Sequence, residues 1–391
     1  MLPFRAAAFG GDRTIVVSRP PQVRRKACPG GCSRIYAREM GSDALQEAFD
    51  HEQLTVFSDP ESGLTGAVAI HSTALGPAMG GLRLASYPGL TDAILDALSL
   101  ARAMSFKSAA AGLDLGGGKA VVLDDGCWED RRGERMRAFG RVVEQLGGRY
   151  VTAEDVGTTP ADMAAIATET DHVAGGPAEV GGRGDPSPHT ARTVFGAISS
   201  AARLRLGAGS LGGVRVGVQG VGSVGAHLVR MLRGAGAEVC LCDLDPERAR
   251  AVAVAYDAVA LPSFEFVLRD FDVLAPCAMG GAIGPHEVER MGASVIAGGA
   301  NNPLTDRHLA DELMLRGIFY APDFLANAGG IIHVGAEVLG LDDNRVEALI
   351  EAALHRTDDV LQRSIEDGRV PLSVAEEDAL ARLGRAPERV I

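Results

Sequence analysis

The sequence lacks several features that mark other classes of protein. No apolar run approaches the length of a membrane-spanning helix, and the six cysteines are scattered without repeated pairs or histidine clusters. Basic residues are not in excess, because the formal net charge is −13. These absences predict a cytoplasmic protein with reduced thiols and no bound metal, and they argue against nucleic acid or a membrane as its partner.

The length of the chain favours more than one domain. A chain of 391 residues exceeds what one hydrophobic core usually serves, and its hydrophobic and charged fractions, 46% and 23%, are those of ordinary globular proteins. Residues 1–40 differ from the rest, since eight are Lys or Arg and only two are acidic. This composition predicts a disordered basic extension, or a translation start that truly lies at Met40.

The most informative stretch is residues 104–122, in which Lys107 and Lys119 flank a segment of small residues ending in three glycines. Apolar residues at helical spacing before Lys107 predict a helix, and AVVL after Lys119 predicts a buried strand. The glycines predict a turn whose bare backbone a ligand can approach beside Lys119.

Two simpler interpretations of these lysines are less favourable. A phosphate loop needs a glycine six residues before the lysine and a Ser or Thr after it, but Leu113 and Ala120 occupy those positions. Two solvated surface lysines would be ordinary, yet Lys119 lies between GGG and AVVL, where water is scarce and the proton affinity of an amine falls. We therefore expect a catalytic or ligand-binding role.

Other polar and glycine positions in the first half of the chain point to the same kind of site. Gly80 and Gly81 again expose backbone, and Asp155 follows directly on a predicted strand. Ligands are usually held where strands end at the open edge of an α/β sheet.

The second half of the chain carries a dinucleotide-binding fingerprint. A predicted strand at residues 214–218 leads into a turn and a helix, and the turn contains Gly220, Gly222, Ser223, Val224 and Gly225. Asp243 follows 18 residues after the last glycine, at the end of a second predicted strand. A carboxylate there binds ribose hydroxyls and repels a 2′-phosphate, so NAD is favoured over NADP, although Arg248 lies nearby.

The last long segment predicts a helix that ends at Gly368 and packs an apolar face across the interdomain region. The predicted organisation is a basic extension (1–40), a substrate and oligomerisation domain (41–188), a Rossmann domain (189–335) and C-terminal helices (336–391).

From about residue 53 to residue 367 the chain resembles the Glu/Leu/Phe/Val dehydrogenase family, and the branched-chain members most of all. The resemblance is carried by GPAMGG, MSFKSAAAGLDLGGGKAVV, VTAEDVGTT, GDPSPHTA, GVQGVGSVG, AGGANN and YAPDFLANAGG. It implies an α/β fold with an N-terminal substrate domain, a C-terminal Rossmann domain and a deep interdomain cleft. It also implies a homo-oligomer that deaminates an L-amino acid with NAD, yielding a 2-oxo acid and ammonia.

The resemblance further implies roles for individual residues. Lys107 would hold the substrate carboxylate, helped by Gly80, Gly81 and Asn327. Lys119 would activate the attacking water, and Asp155 would pair with the substrate amine. The positions implied at the cofactor are Thr190, Asn302, Asn327, Asp243 and the turn from Gly220 to Gly225.

The substrate side chain is predicted from Met79 and Ala153. Glutamate-specific relatives carry a lysine where this chain has Met79, and aromatic-specific relatives usually carry glycine where it has Ala153. Valine, leucine or isoleucine is therefore expected, with phenylalanine or glutamate dehydrogenase, or a non-catalytic NAD-binding regulator, as alternatives. Leu82 and Arg183 depart from the usual family pattern.

Overall fold

The structure, a computed structural model, describes residues 14–17, 50–176 and 183–384. Contacts divide the chain into two compact units. Unit 1 comprises the chain up to Ser105 together with Asp114–Gly184, and unit 2 comprises Phe106–Leu113 together with the chain from Asp185 onward. The segment that carries Lys107 therefore belongs to unit 2.

Unit 1 is built on one mixed sheet. Its strands are β1 (Thr14–Val17), β2 (Gln53–Asp59), β3 (Leu64–Ser72), β4 (Ala78–Ala85), β5 (Gly116–Leu123) and β6 (Tyr150–Glu154). Its helices are α1 (Leu90–Ala111), whose last residues lie in unit 2, α2 (Arg132–Gln145) and α3 (Pro160–Ile166). The strand order is β1-β2-β3-β5-β4-β6, and β5, β4 and β6 are mutually parallel.

The predicted disordered extension is wrong for four residues, because Thr14–Val17 forms β1 and pairs with β2. The remainder of residues 1–40 lies outside the described residues.

Helices cover both faces of this sheet. Successive apolar side chains along each strand point to opposite faces, so each face packs against its own helical layer. One face packs Leu82, Ala120 and Tyr150 against α2 and α3. The other packs Ala69 and Val121 against α1, whose contact residues are mostly alanine spaced three or four apart. Small residues at this contact let the helix approach the sheet closely.

Unit 2 is built on a parallel sheet. Its strands are β7 (Arg215–Gln219), β8 (Glu238–Cys242), β9 (Val259–Ala260), β10 (Val273–Pro276), β11 (Val295–Ile296) and β12 (Phe319–Tyr320). The helices are α4 (Ser187–Leu206), α5 (Ser223–Gly234), α6 (Pro246–Ala255), α7 (Pro285–Arg290), α8 (Leu309–Leu315), α9 (Asp323–Ala326), α10 (Ala328–Val338), α11 (Asp343–Asp367) and α12 (Pro371–Arg382). The order β12-β11-β10-β7-β8-β9 is that of a Rossmann fold, which confirms the predicted fold class.

The predicted C-terminal helix is confirmed as α11. Asp342 caps its first turn by accepting the Arg345 N–H, and Gly368 ends it in the left-handed region at φ 64°. The apolar residues predicted to share one face are buried, including Val346, Ile350 and Leu361. No helix in the described part of the chain is long and apolar enough to cross a membrane.

Candidate active site

Lys119 lies in the middle of β5, with 5% of its surface exposed. The three glycines before it are the first residues of this strand, so the predicted turn is wrong. A Cβ on Gly117 would lie 2.0 Å from the Ser105 backbone nitrogen, and one on Gly118 would lie 2.7 Å from the Tyr150 ring. Because the glycines have no side chains, Ser105 and Tyr150 can pack directly against this part of β5. This close packing buries Lys119.

Asp155 pairs with Lys119, at 2.5 Å between Oδ2 and Nζ. Burial lowers the pKa of the Lys119 amine, and the opposing influence of Asp155 does not restore it. Burial also disfavours the charged form of Asp155, yet the positive charges of Lys119 and Arg83 hold its pKa below the usual value. The pair therefore combines a lysine that releases its proton readily with a carboxylate that stays ionised.

Met79 and Ala153 lie on the same face of the sheet as Lys119. Strand register pairs Met79 with Gly117 and with Val151, and pairs Gly81 with Ala153. Side chains two residues apart share a face, so Lys119 shares the face of Gly117. Met79 lies on this face on the neighbouring strand β4, and Ala153 lies on it one strand further, on β6. Both are buried, at 3% and 6% exposed.

Leu82 points the other way. It is fully buried in the core formed with α2 and α3, on the face opposite Lys119. This departure from the family pattern therefore does not change the surroundings of Lys119.

Gly80 and Gly81 allow β4 to lie close to its neighbours. The Gly80 carbonyl accepts a hydrogen bond from the Tyr150 hydroxyl at 2.6 Å. A Cβ on Gly81 would lie 2.6 Å from the Asp155 Cβ, so glycine at this position permits the observed placement of the carboxylate.

Arg83 and Asp96 were not predicted from the sequence, although they contact the ion pair. Arg83 Nε donates to Asp155 Oδ2 at 3.4 Å, and its Nη1 donates to Asp96 Oδ2 at 2.9 Å. The sequence did contain an indication of the role of Arg83. Arg83 stands two residues after Gly81, so its side chain lies on the same face of the strand as the predicted site.

In unit 2, Lys107 is joined to two asparagines. Its Nζ donates to Asn301 Oδ1 at 3.0 Å, and the same oxygen accepts from Asn327 Nδ2 at 2.9 Å. Asn327 Nδ2 also lies 3.3 Å from the Gly299 carbonyl oxygen, which fixes the orientation of the amide. Its Oδ1 is buried and has no hydrogen-bond partner among the residues that the structure describes.

Asn302, which was predicted at the cofactor, lies next to this cluster in the sequence. Asn302 is exposed, has φ 47°, and its backbone N–H donates to Asp323 at 2.9 Å. The adjacent Asn301 makes the contact with Lys107, a distinction that the pattern AGGANN alone does not show.

The predicted dinucleotide turn has the geometry of a phosphate site. Gly220 has φ 90°, and a Cβ on Gly225 would lie 2.1 Å from the Gly220 oxygen. A Cβ on Gly222 would meet nothing within 4 Å, and this residue stands immediately before Ser223, the first residue of α5. An open glycine at the N-terminus of a 12-residue helix fits a pyrophosphate, because the helix presents free N–H groups there.

Val224 and Thr190 hold neighbouring elements of unit 2 together. Val224 packs against the core that contains the sheet, and a Cβ on Gly299 would lie 2.9 Å from its methyl group. Thr190 is buried, and its hydroxyl donates at 3.1 Å to the carbonyl oxygen of Pro186, the residue immediately before α4. A Cβ on Gly330 would lie 2.7 Å from that hydroxyl, so NAGG brings α10 close to α4.

Asp243 follows β8 with 10% of its side chain exposed. One carboxylate oxygen accepts the Val221 N–H at 2.9 Å and the other accepts the Asp245 N–H at 2.9 Å. Each oxygen keeps a second lone pair for a hydroxyl donor. Arg248 lies 3.6 Å from Asp243, while Asp245 caps the first turn of α6.

No group of three or more His, Cys, Asp or Glu side chains among residues 14–17, 50–176 and 183–384 is arranged to hold a metal ion.

Two family models match the chain. Residues 51–172 match the model described as Glu/Leu/Phe/Val dehydrogenase, dimerisation domain, and residues 240–347 match Glutamate/Leucine/Phenylalanine/Valine dehydrogenase. Leucine dehydrogenase from Bacillus subtilis is 42% identical over 87% of this chain and 93% of its own length. Valine dehydrogenase from Streptomyces coelicolor is also 42% identical, over 87% of this chain and 94% of its own length.

Solved structures agree with these sequence matches. The L-tryptophan dehydrogenase from Nostoc punctiforme superposes with a TM-score of 0.76 at 34% identity, covering 88% of this chain and 98% of that one. A glutamate dehydrogenase from Thermus thermophilus has a TM-score of 0.70 at 22% identity, which shows the shared fold. With matches of this length and identity, the chain belongs to the Glu/Leu/Phe/Val dehydrogenase family of amino-acid dehydrogenases, as the resemblance implied.

Proposed function

We propose that this enzyme oxidatively deaminates branched-chain L-amino acids with NAD. In the balanced reaction, the amino acid, NAD⁺ and water give the 2-oxo acid, ammonium, NADH and a proton. The observation that carries the proposal is Met79, which is buried on the sheet face of Lys119 and offers a thioether to an aliphatic side chain. The leucine and valine dehydrogenases among the relatives support the same substrate class.

Lys119 and Asp155 are the proposed proton-handling residues. When NAD is bound, it accepts the hydride from the substrate α-carbon. Lys119 takes a proton from the water that attacks the resulting imine, and Asp155 accepts a hydrogen bond from the substrate amine and relays its protons. Burial prepares Lys119 for this task because it lowers the pKa of the amine.

Lys107 is the proposed partner of the substrate carboxylate, with the backbone of Gly80 and Gly81 assisting. The structure supports a different contribution from Asn327 than a direct contact with that carboxylate. Its Nδ2 is already committed to oxygen acceptors, and a buried Oδ1 repels an anion. We therefore assign Asn327 to holding Asn301, which in turn holds Lys107.

NAD is the proposed cofactor, because the residues present fit it. The open Gly222 at the start of α5 would take the pyrophosphate, and Asp243 would accept the ribose hydroxyls. The roles of Thr190 at the nicotinamide and of Asn302 at the cofactor belong to the same proposal. A homo-oligomer is also proposed, since the model matching residues 51–172 is described as a dimerisation domain, and the molar mass in solution tests it.

Replacing Asp243 by alanine is expected to weaken NAD binding by about ten- to a hundredfold, since hydrogen bonds to a charged group contribute roughly 1.5–3 kcal/mol. Use of NADP relative to NAD should rise, because the carboxylate that repels a 2′-phosphate is removed and Arg248 loses one of its two acidic partners. The measurement is the ratio of kcat/KM for the two cofactors.

Asp245→Ala is the matched control for this change. It removes a neighbouring carboxylate that caps α6 and also pairs with Arg248, but it leaves the Asp243 carboxylate in place. It should therefore lower stability and change the NAD/NADP ratio much less than Asp243→Ala does. An unchanged ratio in Asp243→Ala would show that the ribose assignment is wrong.

Deamination should accelerate as pH rises from about 6 to about 10, because both the substrate amine and Lys119 must be neutral. The pKa of Lys119 is lowered by burial, so its neutral fraction increases at lower pH than for an ordinary lysine. The check is a pH profile of kcat/KM for the deamination direction, and a flat profile over this range would contradict a lysine base.

The reaction itself is tested by its products. L-leucine incubated with enzyme and NAD should yield equal amounts of NADH and the corresponding 2-oxo acid, measured by absorbance and mass spectrometry. NADH formed without a 2-oxo acid, or no turnover with any branched-chain amino acid, would overturn the proposed function.

A further inference from the structure

A row of alternating charges in unit 1 extends beyond Lys119 and Asp155. Arg83 bridges two carboxylates, donating to Asp155 from Nε at 3.4 Å and to Asp96 from Nη1 at 2.9 Å. The Tyr87 hydroxyl donates to the same Asp96 oxygen at 2.5 Å. The row therefore alternates in sign from Lys119 to Asp96 and ends on a neutral hydroxyl.

The charges in this row are shielded from water, Lys119 most of all. The side chain of Lys119 is 7% exposed, and those of Asp155, Arg83 and Asp96 are 23–27% exposed. Charges in such surroundings influence one another more strongly than charges on an open surface. Arg83 is also held at both carboxylates, so its charge has a fixed position relative to Lys119.

We propose that Arg83 and Asp96 are positioning residues with opposite electrostatic effects on Lys119, Arg83 favouring the neutral amine and Asp96 favouring the protonated one. The proposal rests on the function proposed above, in which neutral Lys119 activates water. Arg83 has a second effect in this arrangement, because it helps to keep Asp155 ionised for the substrate amine.

The charged groups that act on Lys119 come from three elements packed around it. Asp155 follows β6, Arg83 lies on β4 and Asp96 lies on α1. Burial is the main cause of the lowered pKa of Lys119, Arg83 lowers this pKa further, and the two carboxylates oppose the change. Tyr150 and Tyr87 stay neutral, since burial raises the pKa of each phenol well above its ordinary value.

The test compares the pH profiles of two variants that should shift in opposite directions. In Arg83→Gln, the rising limb of kcat/KM should move to higher pH by about one unit, which is about a tenfold lower rate at a fixed pH on that limb. In Asp96→Asn, the limb should move to lower pH. Arg83→Lys restores the positive charge and should return the limb towards that of the parent enzyme.

Arg149→Gln is the matched control for the loss of an arginine charge. Arg149 belongs to the same unit and pairs with Glu52 at 3.2 Å, but it is half exposed and lies outside the row. The rising limb of the kcat/KM profile of Arg149→Gln should stay at the pH of the parent enzyme. A merely structural role for Arg83 would lower the rate equally at every pH, and that result, or shifts of Arg83→Gln and Asp96→Asn in the same direction, would overturn the proposal.

A direct titration of Lys119 separates this proposal from the proposed function. The chain has only three lysines, Lys26, Lys107 and Lys119, so protein carrying ¹³Cε-labelled lysine gives a simple spectrum, and Lys119→Met assigns the signal. The titration midpoint should rise in Arg83→Gln and fall in Asp96→Asn, whether or not any amino acid is turned over. An enzyme inactive on amino acids with these midpoint shifts would refute the function alone, and unmoved midpoints would refute the electrostatic role.

Discussion

Lys119→Ala is expected to lower kcat by about 10²- to 10⁴-fold, the range contributed by a general acid or base, while NAD binding is retained. The loss is expected to be large because Lys119 is the buried amine beside Asp155. NAD binding should survive because the proposed cofactor residues, from Gly220 to Asp243, all lie in unit 2, whereas Lys119 lies in unit 1. Steady-state kinetics and a fluorescence titration with NADH measure the two effects.

Lys119→Met controls for lost packing, since it keeps an unbranched stem of similar length without the amine. It should be as inactive as the alanine variant and closer to the parent protein in thermal stability. A catalytic constant that is unchanged in either variant would remove Lys119 from the mechanism.

L-glutamate is expected to be used at least about a hundredfold less efficiently than L-leucine or L-valine, because an unpaired carboxylate beside an apolar side chain costs several kcal/mol. Met79 supplies that side chain and is 3% exposed. Met79→Lys should raise kcat/KM for glutamate and lower it for leucine, since the ammonium can pair with the γ-carboxylate. The measurement is the ratio of the two efficiencies in each variant.

Leu82→Met is the matched control for this substitution. Leu82 stands on the same strand and is equally buried, but it packs on the opposite face with α2 and α3. Its replacement should leave the ratio unchanged. Glutamate used as well as leucine by the parent enzyme would contradict the assignment of Met79 to the pocket.

Elements that are determined by a short stretch of neighbouring residues were predicted from the sequence. The nucleotide turn of unit 2 and the end of α11 at Gly368 were predicted because each depends on a glycine with a definite conformation next to a periodic segment. The buried strand after Lys119 was also predicted, but the apolar run AVVL does not show which face of the sheet carries the site.

Features that depend on distant contacts were not predictable in this way. The sequence of Gly116 to Gly118 does not show whether the space left by the missing side chains is filled by a ligand or by the protein itself. In the structure, Ser105 and Tyr150 fill it. The contact of Asn301, and not Asn302, with Lys107 spans 194 positions of sequence, which no local pattern encodes.

The proposed function requires a branched-chain amino acid to be the preferred substrate of an NAD-dependent deamination. The most direct measurement is kcat/KM with NAD for L-leucine, L-valine, L-isoleucine, L-phenylalanine, L-tryptophan and L-glutamate, followed as NADH formation at alkaline pH. One of the three branched-chain amino acids should have the highest value, and phenylalanine should have a lower one because the methyl group of Ala153 narrows the pocket. A higher value for phenylalanine, tryptophan or glutamate than for all three branched-chain amino acids would contradict the proposed function.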